Sequence, residues 1–441
     1  TPLYSSAASD VYKRQASGNG SSNITDDVNT TGAFINQTVG FKTLIQAYSD
    51  YQPIKEKIIF APNDPRTNGT QQLYLAQQWG DNVIYINTDT RTYRDVRLKT
   101  ATGADDTAAR ADNPNRTLLG ATQLAWLKET LLTAQNNGTI WKFVAVSSPI
   151  DQLGAIGSGS DSGKSWIGGY RAERNDLLKF IADNGIKNVV FLSADDHQNR
   201  INELTYTDNG VVKLLPNALS IVGGPMGATG PDNITDHSFA NIQSLANTLA
   251  NGQIAANVNP IGLAANFPGL KNVVRENDTN PTQIEPVDFY SPDTFNYTVF
   301  DISADGKTLN INVQGVNSYA QNSFPEPSTA NPVRSILSFS LDADTHTQIK
   351  FATTSADSIT IQSSQILFTG DGADIVESST PNTTINAGNG DDIINVGSDS
   401  SVFAGESNDT VNIGTTSPAG NTNVDGGNGN DTINVVQGGI G

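Results

Sequence analysis

Two aspartates and a histidine stand in a row at Asp195-Asp196-His197. They follow the apolar run Val189-Val190-Phe191-Leu192 and the small pair Ser193-Ala194. Two carboxylates and an imidazole placed together can bind a hard or borderline metal ion. The same residues also make an ordinary solvated turn in which one Asp caps the chain. What positions them decides between the two. A short apolar run rich in β-branched residues after a helix is the pattern of a buried parallel strand. Open α/β sheets place their ligands at the carboxyl ends of such strands.

Two earlier segments repeat the pattern. Residues 82–87 (NVIYIN) lead into Thr88-Asp89-Thr90-Arg91-Thr92-Tyr93-Arg94-Asp95, and residues 141–146 (WKFVAV) lead into Ser147-Ser148-Pro149-Ile150-Asp151. Helical spacing separates the three runs. Leu124, Trp126, Leu127, Leu131 and Leu132 follow Thr122 as N-cap and stop at Asn136-Asn137-Gly138. Leu177, Leu178, Phe180 and Ile181 lie in a second helix over 172–182, closed by Asn184-Gly185. Strand–helix alternation of this kind predicts a largely parallel sheet covered by helices. Arg91 and Arg94 then sit at the carboxyl edge, where guanidinium groups suit bidentate contacts with phosphate oxygens. An ion pair with Asp89 or Asp95 is the alternative.

Elsewhere in this part, a helix is expected over 41–51, strand-like pieces at 57–61 and 72–80, and strands at 202–206, 218–222, 295–302 and 309–313. One more helix is expected near 241–250. His237 follows a Gly-rich loop, residues 223–230, and is a second histidine to consider near the cleft. His346 lies in a later strand region and is expected to face solvent.

The 441 residues suffice for two or three domains. Only 16% are charged and 37% hydrophobic, with Gly, Asn, Thr and Ser filling the rest, a composition suited to β-rich, turn-rich structure. The formal charge of −19 argues against a nucleic-acid partner and favours cations. The absence of Cys excludes disulfides and thiolate metal sites. No apolar run is long enough to span a membrane. Residues 1–15 resemble a translated cloning adapter and are set aside. The last residues stop within a repeat, so the chain reads as cut at both ends.

That repeat begins at Thr369. Gly370-Asp371-Gly372-Ala373-Asp374 is followed by Gly388-Asn389-Gly390-Asp391-Asp392. A weaker copy, Gly405-Glu406-Ser407-Asn408-Asp409, precedes Gly427-Asn428-Gly429-Asn430-Asp431. The first spacing equals two nine-residue units, one coil of a parallel β-roll. Glycine carbonyls and Asp carboxylates stacked coil on coil make oxygen-only Ca²⁺ sites. The β-branched residue after each Asp is expected to face the coil interior. A disordered Gly/Asp-rich tail is the alternative. These repeats resemble the RTX family, Gly-Gly-x-Gly-x-Asp-x-apolar-x. Gly426-Gly427 starts the full match, while Thr369, Ala387 and Ser407 depart from it. The resemblance implies Ca²⁺-dependent folding outside the cell and export by type I secretion machinery.

Five blocks in order, NVIYINTDTRTYRD, RTLLGATQLAWLKETL, WKFVAVSSPID, SWIGGYRAERNDLLKFIADNGIKNVVFLSADDHQNR and VDFYSPDTFNYTV, resemble the C-terminal part of PhoD-like alkaline phosphatases across roughly residues 25–315. The resemblance implies a metallophosphoesterase fold, a sheet sandwich flanked by helices. It also implies that Asp195 and His197 ligate a dinuclear centre holding Ca²⁺ and a second metal such as Fe³⁺. Asp196 stands between them as a partner of a ligand or as an exposed residue. The family's Trp-Asp-Gly-Tyr appears here as Trp166-Ile167-Gly168-Gly169-Tyr170, so no role of that Asp carries over. The family's earlier ligand blocks have no match upstream of residue 40.

The expected fold is therefore an α/β (α+β) metallophosphoesterase-like domain over 16–318, a linker with short strands over 319–365, and a Ca²⁺-binding parallel β-roll over 366–441. The expected function is that of a secreted, extracellular phosphatase or phosphodiesterase acting on phosphate esters, with the isolated chain inactive for want of upstream ligands. The competing expectation is a non-enzymatic extracellular Ca²⁺-binding protein that uses the phosphatase-like domain as a scaffold.

Overall fold

The computed structural model describes residues 39–51, 57–95, 107–153, 163, 165–194, 196–208, 210–226, 235–256, 258–319, 331–343, 349–352, 355–361, 365–378, 381–414 and 421–435. The chain divides into two compact units. One holds Thr1–Ile181 and Ile186–Leu341, the other Ala182–Gly185 and Asp342–Gly441.

The first unit is built on a seven-stranded sheet. Its strands are β1 (Leu75–Trp79), β2 (Val83–Asn87), β3 (Trp141–Ala145), β4 (Val189–Ser193), β5 (Asn199–Asp208), β6 (Val211–Val222) and β8 (Tyr290–Ser291), in the order β1-β2-β3-β4-β6-β5-β8. Strands β2, β3, β4 and β6 run parallel. Strand β1 is antiparallel at one edge, and β5 is antiparallel to both β6 and β8. The apolar runs of β3 and β4 are buried along most of their length, as strands covered on both faces must be.

Among the described residues this unit carries the α-helices α1 (Val39–Tyr51), α2 (Ala121–Asn136), the single turn α3 (Trp166–Gly169), α4 (Arg171–Asp183) and α5 (Phe239–Ala255). Leu127 and Leu131 of α2, and Leu177, Leu178 and Ile181 of α4, are fully buried. Each such side chain contributes about 1.5–3 kcal/mol on burial.

Strand register aligns the carboxyl edge. Asn87 pairs with Ala145, Ala145 with Leu192, and Leu192 with Ile221. The polar segments after β2, β3, β4 and β6 therefore begin side by side.

Three local expectations change. Thr122 is not the N-cap of α2; Gly120 is, at φ 78°, and the Thr122 hydroxyl donates to Asp64 Oδ2 at 2.6 Å. Residues 57–61 make only an isolated bridge, Ile58 to Gln71, instead of a strand. Of residues 72–80, only Leu75–Trp79 extends as a strand.

A second sheet completes the unit with β7 (Leu270–Arg275), β11 (Arg334–Asp342), β10 (Thr308–Asn317) and β9 (Thr294–Ile302), in that order. It meets β3 through the rings of Phe143 and Phe300, 5.4 Å apart and edge to face. The indole N–H of Trp141 donates to Gly306 O at 2.8 Å in the β9–β10 turn. Gly306 has φ 77°, and a Cβ there would lie 2.4 Å from Asn82 Nδ2, so a side chain at this turn would be strained and would have to push Asn82 aside. Strand β11 lies within residues 319–365, read from sequence as linker and short strands. It pairs antiparallel with β7 and belongs to this sheet.

The second unit carries short strands that alternate between two five-stranded sheets. One is β12 (Ile349–Phe351), β14 (Ile366–Phe368), β16 (Thr384–Asn389), β18 (Ser401–Glu406) and β20 (Asn423–Asn428). The other is β13 (Ser358–Ile361), β15 (Ile375–Ser378), β17 (Ile393–Val396), β19 (Thr410–Ile413) and β21 (Thr432–Val435). Every pairing described is parallel. Parallel pairing begins at β12 and β13, ahead of the first Gly-x-Gly repeat. Leu367, Val376, Ile385, Ile394, Val402 and Val411 form a common buried core.

In the first three copies the interior residue is the second after the Asp, not the first. Val376, Ile394 and Val411 are buried, whereas Ile375 and Ile393 are exposed. Strand side chains alternate, so neighbours in sequence take opposite faces. His346 lies outside the described residues.

Candidate functional site at the carboxyl edge

The segment after β2 is pinned from helix α2. Gln123, fully buried, accepts the backbone N–H of Asp89 at 2.7 Å and donates to Asp89 O at 2.8 Å. Asp89 Oδ1 accepts the backbone N–H groups of Arg91 and Thr92 at 2.8 and 2.9 Å, a turn that a short carboxylate makes readily. Asp89 Oδ2 is buried and meets no hydrogen-bond partner among the described residues, and the same holds for Arg94 Nη1. Asp95 is not paired with Arg94; it takes Arg66 Nη2 at 2.5 Å and the backbone N–H of Thr117 at 2.8 Å. Arg91 is half-buried beside the Asp89 turn. Orphaned buried groups of opposite sign call for a ligand, an ion or water.

The segments after β3 and β4 are joined by a buried arginine. Arg200, at the start of β5, is 1% exposed. Its Nε donates to Asp151 Oδ2 at 2.6 Å, and its Nη1 pairs with Asp196 Oδ2. Asp151 also accepts the Ser220 hydroxyl of β6 at 3.0 Å. Arg174 of α4 holds the same loop by donating to Ile150 O at 2.6 Å. Burial works against the Arg200 charge, but Asp151 and Asp196 more than offset it and hold its pKa above the usual arginine value. Asp196 is thus the outer partner of Arg200, with about a third of its side chain exposed.

His197 follows Asp196 and is exposed at φ 53°, a left-handed conformation few non-glycine residues take. On its other side Gln198 accepts the phenol of Tyr290 of β8 at 2.6 Å. Asp195 lies outside the described residues.

His237 places Nδ1 3.2 Å from Asp293 Oδ2, and Thr235 donates to the same oxygen at 2.7 Å. Burial would raise the Asp293 pKa, yet those partners hold it below the usual carboxylate value. Asp293 lies two residues beyond β8, and His197 two residues before β5. Asn199 pairs with Ser291, so both fall at the same end of that ladder. Tyr170, by contrast, is buried with its hydroxyl on Asp95 O at 2.6 Å, and Arg171 pairs with Asp112 at 2.5 Å.

In the second unit the repeat residues form columns. Gly370, Gly388, Gly405 and Gly427 all have positive φ, and a Cβ at Gly388 would lie 2.1 Å from Gly370 O. Gly372, Gly390 and Gly429 form a second column, into which Ser407 intrudes at φ 90°. The Asp column is a ladder. Oδ1 of Asp374, Asp392, Asp409 and Asp431 accepts the backbone N–H of Asp357, Asp374, Asp392 and Asp409, at 2.8, 2.8, 2.9 and 3.0 Å. Oδ2 of Asp374, Asp392 and Asp409 is buried without a hydrogen-bond partner among the described residues. Burial, then neighbouring aspartates, push Asp392 up to about 7, and Asp374 and Asp409 also rise.

The model of the PhoD-like phosphatase family matches residues 22–263, more than half of the sequence. The chain belongs to that family. Alkaline phosphatase D of Bacillus subtilis (strain 168) is 31% identical over 161 residues, covering 34% of this chain and 24% of that protein. The chain thus spans about a quarter of that relative's length. A solved structure of PhoD superposes with a TM-score of 0.48 at 20% identity, covering 74% of this chain and 51% of that one.

Among the described residues, no cluster of three or more His, Cys, Asp or Glu side chains is arranged to hold a metal ion. His197, the imidazole that follows β4, does not by itself fit a dinuclear centre. In the second unit the carboxylate oxygens left without a hydrogen-bond partner among the described residues are donors of the hard, oxygen kind that Ca²⁺ takes. No helix among the described residues is long and apolar enough to cross a membrane.

Sequence reasoning missed Arg200 and Gln123. Asp151 was visible as the polar residue after the third strand run, but nothing local marks its pairing 49 positions away.

Proposed function

We propose that this PhoD-like chain forms one wall of a phosphate-ester hydrolase. Its carboxyl edge supplies Asp195 and His197 to a dinuclear metal centre in a metallophosphoesterase-type sandwich. The observation that carries the reading is the location of the Asp195-x-His197 motif. It follows β4, at the edge where the segments after four parallel strands begin, inside the region matched by the family model. When bound, two metal ions neutralise phosphate oxygens and acidify a water molecule.

The chain's own residues do the rest of the work ascribed to this wall. Arg91 and Arg94 hold the ester's non-bridging oxygens, a role supported by the buried, unpartnered Nη1 of Arg94. Gln123 fixes the backbone from which Arg91 and Arg94 follow. Substrates are phosphate monoesters or diesters. Ca²⁺ and a second metal such as Fe³⁺ occupy the centre.

The isolated chain, whose described residues offer one imidazole to the centre, turns over phosphate esters at or near background. The second unit is an RTX-type β-roll that takes Ca²⁺ along the Asp374, Asp392, Asp409 and Asp431 column, with Gly370, Gly372, Gly388, Gly390, Gly405, Gly427 and Gly429 lending carbonyls and tight turns. On this reading the protein is secreted through type I machinery and completes its folding outside the cell.

The incomplete ligand set among the described residues also suits a second reading, a Ca²⁺-binding scaffold without catalysis. Phosphatase assay of the gene product that carries this chain separates the two. Hydrolysis that disappears with His197→Ala supports the enzyme; absence of hydrolysis with Ca²⁺ and Fe³⁺ supplied supports the scaffold.

A further inference from the structure

We propose that Arg200 is the positioning residue of the His197 turn, tying Asp196 beside it to Asp151 on the neighbouring strand's loop. The inference rests on reading His197 as a metal ligand.

Both sequence neighbours of His197 are held. Asp196 is paired with Arg200, and Gln198 accepts the Tyr290 hydroxyl at 2.6 Å. Arg200 is itself held, with Nε 2.6 Å from Asp151 Oδ2. Asp151 is held in turn by Ser220 at 3.0 Å. The tie therefore runs from β6 through the loop after β3 to the turn after β4. Between the two held neighbours, His197 sits at φ 53°. A left-handed non-glycine residue is strained and persists only where its surroundings enforce it.

Stability alone is a poor reason for this arrangement. Arg200 and Asp151 are nearly fully buried, 1% and 2% exposed. Desolvating such a pair offsets most of its attraction, and apolar residues of like volume often serve a fold as well. What apolar residues could not do is reach two carboxylates on different loops in one plane, as the guanidinium fork does. Lysine at this position keeps the charge but presents a single point donor.

The test uses the chain with ¹³C,¹⁵N-labelled histidine. Its three histidines, His197, His237 and His346, give three ring signals, two of them internal references. In Arg200→Lys, the His197 signal broadens or splits while the other two keep their positions. Hydrogen-exchange protection over 196–199 falls about tenfold. In the gene product that carries this chain, Mn²⁺ affinity at the phosphatase centre falls about 10–100-fold, and kcat falls more than KM rises. Asp196→Asn removes only the outer, partly exposed carboxylate and should move the same signals less.

Both variants folding with the His197 signal, exchange and Mn²⁺ affinity of the wild type would overturn the proposal. If Arg200→Lys does not fold, Asp196→Asn decides alone, and an unmoved His197 signal overturns it. His197→Ala with undiminished metal content would instead defeat the ligand reading, and exchange over the turn would still report on the tie.

Discussion

The backbone N–H of Asp374 donates to Oδ1 of Asp392 at 2.8 Å, one rung of a ladder that climbs the second unit. The other oxygen of Asp392 is buried with no hydrogen-bond partner among the described residues, and burial, then the neighbouring aspartates, push its pKa up to about 7. A carboxyl raised on folding stabilises the fold fully below its unfolded pKa and loses that contribution as pH rises through the folded one. Without divalent cations, the melting temperature of the second unit should therefore fall between about pH 4 and about pH 7. Millimolar Ca²⁺ should remove the fall and increase the β signal in circular dichroism. A melting curve indifferent to both pH and Ca²⁺ would refute the site.

Ser407 stands where the other copies place glycine, at φ 90°. Ser407→Gly should stabilise the second unit by about 1 kcal/mol, since the left-handed penalty of a side chain disappears. Gly388→Ala should do the reverse, by about 3 kcal/mol, because its Cβ would lie 2.1 Å from Gly370 O. Denaturant titration of the two variants checks both signs.

Gln123 grips both backbone groups of Asp89. Gln123→Ala leaves a buried donor and acceptor unpaired and should cost about 1–3 kcal/mol of first-unit stability. Gln123→Glu keeps the acceptor for the Asp89 N–H but loses the donor to Asp89 O, so it should fall between. Equal stability of Gln123→Ala and wild type in urea would contradict this account of the edge.

The chain on its own should hydrolyse p-nitrophenyl phosphate at or near background, with Ca²⁺ and Fe³⁺ added. Robust turnover by the purified chain would show that His197 has enough companions within it.

Much of the first unit was legible because its central strands β3 and β4 are buried along most of their length. The runs of β2, β3 and β4 are short, apolar and bounded, and the parallel register follows from the helices between them. Arg200 was not legible, since its partners are set by which strands pair: Asp151 leaves β3 and Asp196 leaves β4, and only the β3–β4 register brings both to one guanidinium. Thr122 misled because the turn before α2 uses a left-handed glycine, and the hydroxyl found Asp64 instead. In the second unit the period was plain, but the facing of Ile375 and Val376 needed the strand to be seen as two-sided.

The central claim is that His197 ligates the phosphatase centre. The most direct measurement pairs metal content with phosphate-ester turnover in the gene product that carries this chain, wild type against His197→Ala. The account predicts loss of bound metal together with a fall in turnover to background, while the Ca²⁺ response of the second unit stays unchanged. Undiminished turnover and metal content in His197→Ala would contradict it.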